Sequence, residues 1–137
     1  MRVLLDANVS LSALLVRGTP PDRLYEAWRQ GRFDLVSCER KLEELNRVSR
    51  RPVLRERLRP VEAGRLVNEI RRLAILCEPA NAASVSPDPD DDFLLAVAEA
   101  ARADYLVTGD KTDLLLLRRH GATRILTARQ LVELLAG

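Results

Sequence analysis

DYLVTGDKTDLLLL, residues 104–117, packs a strand, a turn and a helix into one short stretch. Tyr105 to Thr108 is apolar and rich in strand formers. Gly109-Asp110 stops it. Leu114 to Arg119 reads as a short helix, closed by Gly121. The stretch is thus a β-strand that feeds a helix, with an acid at the strand's carboxyl end. Working outward, the pattern repeats. Thr123 to Leu126 reads as another strand, and Thr127-Ala-Arg-Gln130 is a capping box for a last helix. Asp90 to Ala101 reads as a helix that leads into the 105–108 strand.

The N-terminal half has the same rhythm. Arg2 to Leu5 is β-compatible and ends at Asp6. Ser10 to Val16 is a short apolar segment that Gly18 can stop. Thr19-Pro-Pro-Asp22 opens a helix with a hydroxyl cap, an early Pro and an early acid. Leu24, Tyr25, Ala27 and Trp28 recur at helical spacing until Gly31. Phe33 to Ser37 reads as a strand, and Glu39 to Ser49 as a helix with Leu42, Leu45 and Val48 on one face. Arg51-Pro52 breaks it. Pro60 opens a further helix, with Val61, Leu66, Val67 and Ile70 expected inward. Ala74 to Glu78 reads as a strand, and Pro79 to Pro89 as a polar loop. Alternating strands and helices predict an α/β fold: a three-layer αβα sandwich around an open parallel sheet of about five strands. Its 137 residues fit one domain spanning 1–137.

Composition narrows the function classes. The chain is 47% hydrophobic, enough for a core, and only 4% aromatic, so that core is aliphatic. No apolar run is long enough to span a membrane. Asp6 falls too early for a signal peptide's apolar region. Cys38 and Cys77 form neither a disulfide framework nor a zinc pattern, and are expected to be reduced thiols in a cytoplasm. His120 is the only histidine, which removes His-based metal sites and His-dependent triads; it is expected at a helix C-terminus, facing the dipole. The net charge of +2 is unevenly spread. Arginines crowd the segment from Arg47 to Arg72, among them Arg50, Arg51 and Arg55. That segment reads either as a solvated helical face or as a phosphate-binding flank.

Acids mark the expected site. In a doubly wound sheet, sites form outside the carboxyl ends of strands at the switch point. Asp6 lies just past the first strand, and Asp110 just past the 105–108 strand, with Asp113 three residues on. Asp88, Asp90, Asp91 and Asp92 crowd the start of the helix from 90 to 101, where a cap and the dipole call for only one or two acids. Glu44 lies mid-helix near inward-facing positions. Each acid alone has a structural explanation as a cap or turn residue. Together they repel unless a cation sits among them. Carboxylate-only sets suit Mg²⁺ or Mn²⁺, and paired ions of this kind serve phosphodiester hydrolysis.

The segments LLDANV (4–9), LVSCERKLEELNRVSRRP (35–52), DPDDDFLLAVAEA (88–100) and DYLVTGDKTDLLLL (104–117), in this order, resemble PIN-domain ribonucleases of the kind that includes VapC-type toxins. The resemblance implies a metal-dependent endoribonuclease acting as the toxin of a toxin–antitoxin pair. It implies Asp6, Glu44, Asp92, Asp110 and Asp113 as catalytic acids. Asp6, Asp92 and Asp110 would be ligands for one or two Mg²⁺ or Mn²⁺ ions, with Asp91 the second choice for the third acid. Asn8 would help orient the first aspartate, and Thr108 would supply a supporting hydroxyl at the end of the fourth strand. Asp88 and Asp90 read as loop and cap. RNA is the implied substrate, held by Arg47, Arg50, Arg51 and Arg55. An antitoxin protein and a second copy of the chain are the implied partners. Two other readings remain. A haloacid-dehalogenase-type phosphatase needs a second aspartate at position 8, which is Asn8 here. A non-catalytic metal-binding or regulatory protein, acting through protein partners, would keep the acids without turnover.

Overall fold

The computed structural model describes residues 1–58, 60–79, 89–109 and 113–136. Six strands form one sheet: β1 (Arg2–Leu5), β2 (Asp34–Ser37), β3 (Ile75–Leu76), β4 (Tyr105–Val107), β5 (Arg119–His120) and β6 (Thr123–Leu126). Their order is β3-β2-β1-β4-β6-β5. β1 sits at the centre, parallel to β2 on one side and to β4 on the other. The chain winds outward from β1 through β2 to β3, then crosses to β4 and β6. The switch point therefore lies between β1 and β4, beside Asp6 at the end of β1.

The sheet's two faces are legible in β1. Val3 and Leu5 enter one apolar cluster and Leu4 the other, the period-2 alternation of a strand buried on both sides. The first face is covered by α1 (Ala7–Leu15), α2 (Pro20–Arg29), α3 (Glu39–Ser49), α5 (Pro60–Leu73) and α8 (Ala128–Ala136). The second is covered by α6 (Pro89–Ala101) and α7 (Asp113–Leu117). A short helix, α4 (Pro52–Arg55), follows the break at Arg51-Pro52.

Local chemistry explains the boundaries. α2 starts with Pro at its first positions and buries Leu24, Tyr25, Ala27 and Trp28. It ends at Gly31, whose φ of +77° suits a residue without Cβ. The capping box of α8 is formed: the Thr127 N–H donates to Gln130 Oε1 at 2.9 Å and the Gln130 N–H to Thr127 Oγ1 at 3.2 Å.

Four sequence expectations change. The sheet has six strands rather than about five, because β5 adds an antiparallel edge to β6. His120 lies on that edge strand and not at a helix end; its Nε2 stands 2.5 Å from Glu99 Oε1. The first helix begins at Ala7, immediately after Asp6, which is its N-cap residue. Val61 is 63% exposed, since α5 turns Leu66, Val67 and Ile70 inward and leaves its first turn outside.

One polar contact secures the helix that follows Asp6. Ser10 Oγ on α1 and Tyr25 Oη on α2 lie 2.6 Å apart, and both residues are buried. Desolvation raises the Tyr25 pKa to about 12, so the phenol stays neutral and available as a donor. Tyr25→Phe removes a hydroxyl and leaves Ser10 without its partner. The expected loss is about 1–3 kcal/mol in urea unfolding, and the double variant with Ser10→Ala should recover part of it.

Candidate active site at the carboxyl edge of the sheet

The β1–β4 pairing sets the centre of the site. The Asp6 N–H donates to Val107 O at 2.9 Å, so Asp6 leaves β1 in register with the end of β4. The next residue on β4's path, Thr108, is buried and donates its hydroxyl to Asp6 Oδ2 at 3.0 Å. Asp6 is half-buried. Its other oxygen, Oδ1, accepts no hydrogen bond among the described residues. The carboxylate is thus held by one oxygen and presents the other at the switch point.

Two helices begin at the same edge. α3 follows β2 in a parallel sheet, so its first turn starts at the carboxyl ends. α6 precedes β4 and runs against it, so its N-terminus also lies there. The two starts meet directly: the Arg40 guanidinium stacks over the Phe93 ring, 4.1 Å from its centroid. Asp92, beside Phe93, is only 7% exposed, while Asp91 is half-buried. Both make polar or electrostatic interactions. Burial of a carboxylate requires such compensation. Glu44 is half-buried, one turn further along α3.

Lys41 is the residue that sequence reasoning missed. It is 6% exposed in the first turn of α3, next to Arg40. It lines a small cavity of about 20 Å³ with Ser10, Ser37 and the two residues that flank Asp6 in sequence, Leu5 and Ala7. It too makes a polar or electrostatic interaction. A buried protein cation thus stands at the start of α3, beside the residues that flank Asp6. Helical spacing puts Lys41 and Glu44, three apart, on one flank. A signal was available: the chain holds only two lysines, Lys41 and Lys111, among 22 basic residues. Its position beside Leu42 gave no hint of burial.

The other expected residues fall as follows. Asp113 opens α7 and is exposed. Asn8 is exposed in the first turn of α1 and lines a cavity with Thr108, Gly109 and Arg129. Thr108, rather than Asn8, supplies the hydrogen bond to Asp6, because the helical turn carries Asn8 to the outer flank. Asp88 and Asp110 lie outside the described residues, as do the side chains of Asp90 and Arg55. Arg47, Arg50 and Arg51 are exposed. Among the described residues no three of His, Cys, Asp and Glu stand close enough to hold a metal. Asp110, the third expected ligand, is not in that set. What is described fits a hard cation in kind: oxygen donors only, one of them open on Asp6.

A family model described as PIN domain matches residues 2–112. The chain belongs to the PIN-domain family. No curated protein matches it. PIN domains are generally nucleases that use divalent metal ions, and the matched span contains Asp6, Glu44, Asp91, Asp92, Thr108 and Asp110. Among the described residues, no helix is long and apolar enough to cross a membrane.

The Thr108 contact can be tested directly. Thr108→Val keeps the shape and removes the donor. Weakening of Mn²⁺ binding by about 10-fold or more is expected, as for other groups that orient a metal ligand. Calorimetric titration of the metal-free protein measures it, and circular dichroism should show the fold retained.

Proposed function

We propose that this PIN domain is a metal-dependent endoribonuclease, the toxin of a toxin–antitoxin pair, acting on RNA in the cytoplasm. The observation that carries the reading is the Asp6 carboxylate, pinned by Thr108 through one oxygen and open through the other at the β1–β4 switch point. Asp6, Asp92 and Asp110 are the proposed ligands of one or two Mg²⁺ or Mn²⁺ ions, with Asp91 the alternative to Asp92. Glu44 and Asp113 assist from the flanks. When bound there, such an ion would supply the Lewis-acid chemistry of phosphodiester hydrolysis, activating water and easing charge on the leaving oxygen. The products would carry 5′-phosphate and 3′-hydroxyl ends.

The chain's own residues then have defined tasks. Thr108 orients Asp6. Lys41 supplies a fixed positive charge at the start of α3, which limits repulsion among the acids when the ion is absent. Arg47, Arg50 and Arg51 make no ion pair among the described residues, whereas Arg71 is paired with Glu39, and Arg29 with Glu69. The unpaired three lie further along α3 and just past its end. At 1.5 Å per residue they stand roughly 9–15 Å beyond Lys41. They would therefore grip flanking phosphates and not the one being cleaved. Chain-wide scarcity of aromatics disfavours base stacking as the means of recognition. A protein antitoxin that covers the acidic edge, and a homodimer, complete the proposal.

Two measurements test it. Structured and single-stranded RNAs are incubated with Mn²⁺, Mg²⁺ or chelator. Wild type should cleave only with metal. Asp92→Asn should lose more than about 100-fold, beyond the 10–100-fold typical of groups outside the ligand set. Full activity in Asp92→Asn with loss in Asp91→Asn would move the ligand role to Asp91. Cleavage that survives in both, or in chelator, would refute the reading. Replacing Arg47, Arg50 and Arg51 by Gln should lower the salt slope of RNA binding by about 2, at ~0.7 per phosphate contact on a single strand.

A further inference from the structure

β2 and β3 pair in parallel, with Val36 opposite Ile75 and Ser37 opposite Leu76. Carried one residue past its last rung, that register places Cys38 opposite Cys77. The Cys77 N–H closes this end of the ladder by donating to Ser37 O at 2.9 Å. Partners in a parallel ladder share a face, and two residues further along a strand the face is the same. The clusters agree: Val36 and Cys38 belong to the second-face core, and Ile75 and Cys77 pack against it. Adjacent strands stand ~4.8 Å apart, within the Cα separation of about 4.4–6.8 Å that a disulfide spans. Two cysteines separated by 38 residues in sequence are therefore neighbours in space.

Both are free thiols in the structure, Cys38 buried and Cys77 partly exposed. Burial pushes the Cys38 thiol above its ordinary pKa, and the first-turn N–H groups and charge of Lys41 pull it partly back. Cys77 is the more accessible of the two and the one a small oxidant meets first.

We propose that Cys38 and Cys77 form a paired oxidation site, closed to an intramolecular disulfide by a hydroperoxide. The Cys77 thiolate attacks the peroxide O–O bond. This gives a Cys77 sulfenic acid and releases one oxygen as alcohol or water. The Cys38 sulfur then attacks the Cys77 sulfur, and the displaced hydroxide leaves as water with the proton from Cys38. In sum, two thiols give up two electrons and two protons, and one peroxide accepts both. The bond closes a loop of 40 residues, Cys38 to Cys77, that contains α3, α4 and α5. It ties the start of α3 to the end of β3, where the Glu39 N–H already donates to Glu78 Oε1 at 3.2 Å. Loops of this length give a large constraint on the unfolded chain.

The full chain is reduced, treated with one equivalent of hydrogen peroxide, and analysed by intact mass and peptide mapping. A loss of about 2 Da, a linked Cys38–Cys77 peptide and reversal by dithiothreitol are expected. The melting temperature should rise by roughly 5 °C or more on oxidation and fall back on reduction. Cys77→Ser and Cys38→Ala should each abolish both effects. The chain has no third cysteine, so the mass loss has one assignment. Oxygen adducts on Cys77 without a linked peptide, a Cys77-linked dimer, or two thiols surviving the peroxide would each overturn the proposal. None of these outcomes depends on nuclease activity.

Discussion

The parallel pairing of β1 with β4 is the constraint on which the rest depends. Its last rung puts Asp6 and Thr108 side by side, and the hydroxyl-to-carboxylate bond at 3.0 Å joins residues 102 apart in sequence. Without that register Asp6 is only the N-cap residue of α1. With it, Asp6 becomes an oriented acid at the one place where an open α/β sheet has a crevice. The fold's winding, outward through β2 and β3 and back across to β4, exists in every doubly wound sheet. What is particular here is that polar residues end both central strands.

Collecting acids at such an edge has a cost that can be weighed. Two carboxylates about 5 Å apart repel by about 3 kcal/mol at an effective dielectric constant of 20. A hydrogen bond to a charged group returns about 1.5–3 kcal/mol. A helix N-terminus returns about 0.3–1 kcal/mol per nearby acid. Thr108 and the starts of α1 and α6 thus offset part of the repulsion. Divalent-ion use, general in the family, answers the same repulsion.

Much of this was legible before any coordinates, for physical reasons. Val3, Leu4 and Leu5 are all apolar because both faces of β1 are covered, so the strand reads as a run. The bounds of α3 come from Cys38, which ends β2's run, and from the Pro52 break. The capping box at Thr127 is a local motif, and local motifs survive in sequence. The misses share a cause as well. β5 has two residues and exists only by pairing with β6, so no periodicity announces it. His120 follows an apolar Leu run that reads as helix, and only pairing with β6 makes its segment a strand. Lys41 sits on a helix face that only becomes interior when α3 packs against α1 and α5. Burial set by tertiary contact leaves no trace in a one-dimensional pattern.

The Cys38–Cys77 pairing belongs to the same class of hidden information and shows its limit. Spacing in sequence offers neither a disulfide framework nor a zinc pattern, because the connection between β2 and β3 contains three helices. The register of a parallel crossover cannot be counted from loop length; it is set by which strand residues are buried. Once Val36 and Ile75 share a face, every second residue onward must share it too. The same two-residue step that hides Val36 in the core carries Cys38 and Cys77 to the carboxyl edge together. An edge that carries Asp6 at the end of β1 and thiols just past the ends of β2 and β3 does so through one geometric rule. Strands of a parallel sheet all deliver their last side chains to the same rim.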